Sequence, residues 1–268
     1  MRVPFTKMEG AGNDYVYLDA IRTPLSLANA PLLARRWSDR HFGIGADGLI
    51  VMSRGQQAPI RMSMWNADGS RGAMCGNGLR CLARLAFEHG HVRERAFTVE
   101  TDAGPRRVEL LAEADEVRAW MGDVRCGAPI RIDVGGHPVD FVPGDAGNPH
   151  AVTFVADVEA ADVAGIGRML QAHRGFPGGV NVEFVQVQGP DSLLVRTFER
   201  GSGETLACGT GAVVAAAAAR QQGRVRAATV AVRLRGGTLR VVGEGSTLAI
   251  EGPARTVFTG EIALPESG

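Results

Sequence analysis

The feature that most constrains this chain is an internal repeat. Ala11-Gly12-Asn13 returns as Ala146-Gly147-Asn148, 135 residues later. Arg40-His41-Phe42-Gly43, at the end of a helical segment over 25–40, is shadowed by His173-Arg174-Gly175-Phe176 after a second one over 163–172. The apolar run Leu49-Ile50-Val51-Met52 is followed in kind by Val182-Glu183-Phe184-Val185. Met74-Cys75-Gly76-Asn77-Gly78 has its counterpart in Ala207-Cys208-Gly209-Thr210-Gly211, at an offset of 133. Helical stretches over 79–88 and 212–222 then end near Gly90 and Gly223, again 133 apart. Landmarks in one order at nearly one spacing mean a duplicated domain, because solenoid repeats are only about 20–50 residues long.

The expectation is an α+β chain of two pseudo-symmetric halves, each a strand-rich layer with a helix docked on it. The boundary falls at the connection after Gly122, giving an N-terminal half over 1–122 and a C-terminal half over 123–268, with the last strand free to return to the first half. Such halves are expected to face each other across a pseudo-two-fold axis, with equivalent turns opposite one another.

Composition narrows the function classes. The 29 basic and 29 acidic residues cancel and form no block, so a basic surface for nucleic acid has no support. The longest apolar run, Ala212–Ala219, is far short of a membrane span, and the N-terminus lacks the apolar core of a signal peptide. Cys75, Cys81, Cys126 and Cys208 show no CxxC spacing and no neighbouring histidine pair, so no metal site is expected. A cytoplasmic protein with free thiols follows. Cys81, six residues past Cys75, is off its helix face and reads as core; Cys126 has no partner in the other half and no role.

The duplication gives Cys75 its meaning. Alone it is a cysteine in a glycine-rich turn before a helix, where unpaired N–H groups and the helix dipole stabilise a thiolate. Paired with Cys208, it supplies what inversion at a weakly acidic carbon needs: a base on one face, an acid on the other, and exchangeable roles. A thiol with a reference pKa of about 8.5 suits both tasks. Gly76-Asn77 and Gly209-Thr210 offer backbone donors at the two helix starts for a carboxylate that gains charge in the transition state.

Other candidates follow from the repeat. Asn13 and Asn148 are equivalent turn asparagines. Asn66 and Arg200 are assigned to equivalent places, with Glu199 matching Trp65 and Asn181 matching Asp47. Arg200 can bind a carboxylate bidentately, Glu199 can accept from an ammonium, and His150 can orient a substrate amine.

The stretches Lys7–Asp14, His41–Gly48, Asn66–Ser70, Cys75–Cys81, Gly147–His150, Val180-Asn181 and Glu199–Gly211 together resemble the diaminopimelate epimerases, over essentially the whole chain. That resemblance implies two mixed-sheet barrels, each around a central helix, with the site in the cleft between them. It implies cofactor-independent interconversion of LL- and meso-2,6-diaminopimelate, in lysine and peptidoglycan precursor biosynthesis, with Cys75 and Cys208 as the two bases. It further implies Gly76, Asn77, Gly209 and Thr210 at the reacting carboxylate and His150 near the reacting amine. It also implies that Asn13, Asn66, Asn148, Asn181, Glu199 and Arg200 contact the substrate, chiefly its distant end. A homodimer is a common family trait. Gly48 departs from members with a substrate-contacting glutamine there, and Thr210 from members with serine. The alternatives are a related two-cysteine racemase acting on histidine, proline or hydroxyproline, and a binding protein that kept the fold without catalysis.

Overall fold

The structure is a computed structural model, and it describes residues 2–113 and 115–264. The chain divides into two compact units. One comprises the residues up to Ala119 together with those from Gly252 onward; the other runs from Trp120 to Glu251. The crossing falls between 119 and 120 because strand Glu116–Asp123 pairs with Arg106–Leu110 only through its first residues, Val117 to Ala119.

In the first unit, strand Asn13–Asp19 pairs antiparallel with Arg2–Gly10 and parallel with Gly48–Arg54. Gly48–Arg54 pairs antiparallel with Ile60–Asn66, which lies parallel to Ala96–Glu100. Strand Arg255–Ala263 completes the edge by pairing antiparallel with Arg2–Glu9. The second unit runs the same course: Pro149–Phe154 pairs antiparallel with His137–Asp145 and parallel with Asn181–Gly189. Asn181–Gly189 pairs antiparallel with Ser192–Glu199, which lies parallel to Thr229–Leu234. The architecture is a mixed sheet with few helices in each unit, as an α+β chain requires.

Each unit carries an outer and an inner helix. Helices α1 (Ala30–Ser38) and α2 (Gly76–Glu88) belong to the first, α3 (Val163–Gln171) and α4 (Gly209–Gln221) to the second. α1 is shorter than the spacing over 25–40 predicts. Pro31 sits in its first turn, where a missing N–H costs nothing, and Leu27–Asn29 ahead of it form one 3-10 turn.

Strand alternation explains why the central strands are apolar throughout. Val16, Leu18, Leu49 and Val51 pack with Leu33, Ala34 and Trp37 of α1. Their alternates face α2: the Tyr17 hydroxyl donates to Gly78 O (3.1 Å), and Ile50 Cδ1 lies against Gly78. A strand buried on both faces cannot afford polar alternates. α2 touches strands Arg2–Gly10, Asn13–Asp19, Gly48–Arg54, Ile60–Asn66 and Arg106–Leu110, so the sheet curls around it. In the second unit Val182 and Phe184 pack with Val163 and Leu170 of α3, while α4, buried on nearly every side and rich in alanine and valine, fills the inner face.

Candidate active site

Both inner helices begin the same way. Cys75 is the N-cap of α2 and Cys208 the N-cap of α4, with φ/ψ of −130°/124° and −120°/111°. Each sulfur accepts the N–H of the third helical residue, Gly78 or Gly211, at 3.4 Å. Sulfur thus occupies the place that Ser or Asp oxygen takes in an ordinary cap. The helices therefore start three residues earlier than the apolar spacing suggests. The N–H groups of Gly76-Asn77 and Gly209-Thr210 lie in first turns, where no carbonyl one turn back can bind them.

Around Cys75 the first unit builds a polar half-site. The thiol donates to Asn13 Oδ1 (3.2 Å), which also accepts Asn77 Nδ2 (3.4 Å). Asn13 Nδ2 in turn donates to Asp47 Oδ2 at 2.5 Å. Asp47 shares Arg40 with Asp14, and Lys7 ion-pairs with Asp14 at 2.6 Å and donates to the Gly45 carbonyl. Burial works to raise the Asp14 carboxyl, but hydrogen bonds from Arg40 and Lys7 outweigh it and hold it below the usual range. Burial, and then the charge of Asp14, push Asp47 the other way. Asn77 is buried and backs Asn13, with its N–H in the first turn of the helix. Asn66 is exposed and bonded to Ser70 Oγ (2.9 Å). A side chain at Gly48 would put its Cβ 2.2 Å from the Trp65 carbonyl, so a glutamine has no room at this position.

The half-site around Cys208 is more acidic and more closed. Cys208 is buried, with Thr210 Oγ1 at 3.5 Å and a hydrogen bond to Glu199. Burial pushes its thiol well above the ordinary value, and the charges of Glu199 and Glu183 add to this. Burial likewise raises Glu199, against hydrogen bonds from Thr205 (2.6 Å) and Cys208. His150 is fully buried: Nδ1 lies 2.8 Å from Glu183 Oε1 and Nε2 lies 3.0 Å from Asn148 Oδ1. Asn181 accepts the Arg200 N–H (2.9 Å) and donates to Pro149 O (3.2 Å); the exposed Arg200 guanidinium bonds only Gly178 O, at 3.4 Å, among the contacts described.

Strand register corrects three of the internal matches. Gly48 pairs with Asn66 in one unit, and Val182 with Phe198 in the other, which sets Asn181 opposite Glu199. Asn66 is therefore the counterpart of Glu199 and Trp65 of Phe198, while Arg200 matches Ala67. Asn181, opposite His150 as Gly48 is opposite Tyr15, matches Gly48 and not Asp47. The slip arises because the offset is 135 at the asparagine turns and 133 from Gly48 onward, the connection being two residues shorter in the second unit. Asp14, Arg40, Asp47 and Glu183 escaped the sequence reading. Glu183 alone left a signal there, as a lone carboxylate inside an apolar strand.

All four cysteines are free thiols. Burial pushes Cys81 up to about 12 and Cys126 up to about 11, which disfavours the thiolate of each.

The diaminopimelate epimerase family profile matches residues 5–127 and 144–257. The chain belongs to that family. It is 40% identical to the diaminopimelate epimerase of Geobacillus thermodenitrificans over 275 residues, 96% of this chain and 95% of that one. It is 41% identical to that of Desulforapulum autotrophicum (98% and 100% covered) and 39% identical to that of Methanococcus maripaludis (97% and 99%). Solved structures share the fold at low identity. A PhzF-family phenazine biosynthesis protein from Bacillus anthracis has a TM-score of 0.77 at 15% identity, covering 98% of this chain and 100% of that one. A hydroxyproline epimerase from Agrobacterium vitis has 0.74 at 17%, covering 98% and 93%. Diaminopimelate epimerases thus share an architecture with proteins of other specificities, and the fold alone does not choose among substrates.

Proposed function

We propose that this chain is a cofactor-independent epimerase that interconverts LL- and meso-2,6-diaminopimelate, with Cys75 and Cys208 as its acid–base pair. The observation that carries this reading is the twin N-cap: two thiols in matched backbone geometry, each at the start of a buried helix. In one direction the thiolate of one cysteine takes the α-proton, the electron pair delocalises into the adjacent carboxylate, and the other thiol delivers its proton to the opposite face. The net change is one C–H bond broken and one formed, with the two sulfurs exchanging protonation states. Cys208, whose burial and acidic neighbours favour the thiol, enters as proton donor in the direction where Cys75 is the base. Glu199, hydrogen-bonded to Cys208 and itself raised by burial, can take that proton for the reverse direction.

The first-turn N–H groups of α2 and α4 suit the developing carboxylate charge. Asn13, Asn66, Asn148, Asn181 and Arg200 carry the polar contacts to the substrate. The remote amino-acid end of diaminopimelate has a carboxylate that Arg200, with no side-chain ion pair among those described, can meet. Four free thiols fit a cytoplasmic location.

The test is proton exchange in D2O with LL-diaminopimelate. Deuterium enters the α-carbon in the presence of the enzyme, and Cys75→Ala and Cys208→Ala each stop interconversion. Wild-type protein without exchange removes the epimerase reading; unchanged turnover in both variants removes the two-thiol mechanism. Histidine or proline turned over far faster than diaminopimelate would move the assignment to another substrate.

A further inference from the structure

The second unit departs from the repeat at two buried positions that touch each other. In the first unit Tyr15 lies beside Gly48, and two residues on Ile50 packs its Cδ1 against the first turn of α2. A Cβ on Gly78 would come within 2.6 Å of that methyl group. In the second unit His150 stands in the Tyr15 place and Glu183 in the Ile50 place, two residues on from Asn181. A Cβ on Gly211 would come within 2.5 Å of Glu183 Oε1. The glycine at the third helical residue makes room for an isoleucine in one unit and for a carboxylate in the other.

Isoleucine satisfies the packing at this place, so packing does not account for the carboxylate. A buried carboxylate is costly unless it is hydrogen-bonded and compensated. The Glu183 and His150 side chains are both 0% exposed and 2.8 Å apart. Glu183 Oε2 has no partner among the described residues, and the positive end of α4 lies beside it. The other titratable groups that feel this pair are Glu199 and Cys208. A carboxylate accepting from Nδ1–H fixes the ring plane and favours the imidazolium, which carries a second N–H on Nε2. Here the plane so fixed carries Nε2 to Asn148 Oδ1 at 3.0 Å. With its carbonyl engaged, Asn148 presents N–H groups to whatever binds.

We propose that Glu183 is a positioning residue for the epimerisation: it holds His150 as an imidazolium with Nδ1–H toward itself and Nε2–H toward Asn148 Oδ1, which sets Asn148 as a donor to a substrate carboxylate. The proposal rests on the epimerase reading given above.

The test joins spectroscopy to kinetics on the full chain. In protein carrying 15N-histidine, His150 shows a proton on both Nδ1 and Nε2 at neutral pH, and Glu183→Gln loses one of them. Kinetically, Glu183→Gln and Asn148→Ala each raise KM for diaminopimelate about tenfold, the loss of roughly one hydrogen bond, with a smaller change in kcat. The double variant is no worse than either single one, because both break one relay. A wild-type His150 with an unprotonated Nδ1 or Nε2 overturns the proposal even where Glu183→Gln does not fold. So do additive effects in the double variant, or Glu183→Gln with unaltered KM. A wild-type enzyme with both ring nitrogens protonated but no exchange in D2O overturns the epimerase reading, and Glu183's part in that reaction with it, while the pairing itself stands.

Discussion

At the residue scale, the two cysteines share a backbone role but not an environment. Cys208 is buried among Glu199 and Glu183, whereas Cys75 is half-buried and bonded to Asn13. Thiolate character and access together decide alkylation. Iodoacetamide is therefore expected to modify Cys75 first, with Cys208, Cys81 and Cys126 lagging, as peptide mass spectrometry can follow. If Cys75 and Cys208 are the proposed acid–base pair, replacing either by serine, a far weaker acid, should lower kcat by about 10²–10⁴-fold, the range for loss of a general acid or base. Gly78 and Gly211 make a second residue-scale comparison. Gly78→Ala meets the buried Ile50 methyl and should destabilise by about 1–3 kcal/mol, the usual cost of overpacking, read by urea unfolding. Gly211→Ala meets the Glu183 carboxylate instead, so its larger effect should be on KM.

At the scale of elements, α2 is anchored at both ends. Its N-terminus holds Cys75, and its C-cap, His89, joins a cluster at the far end about 20 Å away for a 13-residue helix. There Asp19 Oδ2 lies 2.7 Å from both His89 Nδ1 and His91 Nε2, and Arg22 donates to the His89 carbonyl at 2.7 Å. Burial works to raise the Asp19 carboxyl, but hydrogen bonds from His91 and His89 prevail and hold it below its ordinary value. A carboxyl depressed in the folded state stabilises above its unfolded pKa, about 3.9, and that contribution is lost as pH falls through the folded value. Acid unfolding of the wild type below about pH 4 should accordingly be steeper than that of Asp19→Asn, measured by circular dichroism. The strands follow the same economy. Asn13–Asp19 and Gly48–Arg54 are read from their apolar runs because both faces are covered by helices. The early start of α2 was not legible, since glycines carry no hydrophobic period and a cysteine cap resembles a turn.

For the whole molecule, the first unit needs the end of the chain. Strand Arg255–Ala263 pairs along Arg2–Glu9, and the Pro253 carbonyl accepts from the buried Arg80 guanidinium at 3.3 Å. Removing everything from Gly252 onward should therefore expose amides of the first unit to hydrogen exchange and abolish activity, although Cys75 is about 180 residues away in sequence. Amides of α4 should keep more of their protection, because the unit from Trp120 to Glu251 is continuous.

The sequence by itself determined the duplication and the equivalence of Cys75 and Cys208 within it, and it named several of the polar residues gathered around each cysteine. These are legible because glycine-rich turns and helix starts are local, and a local pattern copied twice announces itself. Tertiary structure decided the rest. Which residues of the two units truly correspond was set by strand register, which made Asn66 the counterpart of Glu199 and freed Arg200 from that match. That Glu183 stands in the Ile50 place depends on two strands and a helix meeting from distant parts of the chain. The local sequence records a carboxylate; only packing shows that it is buried and what it holds.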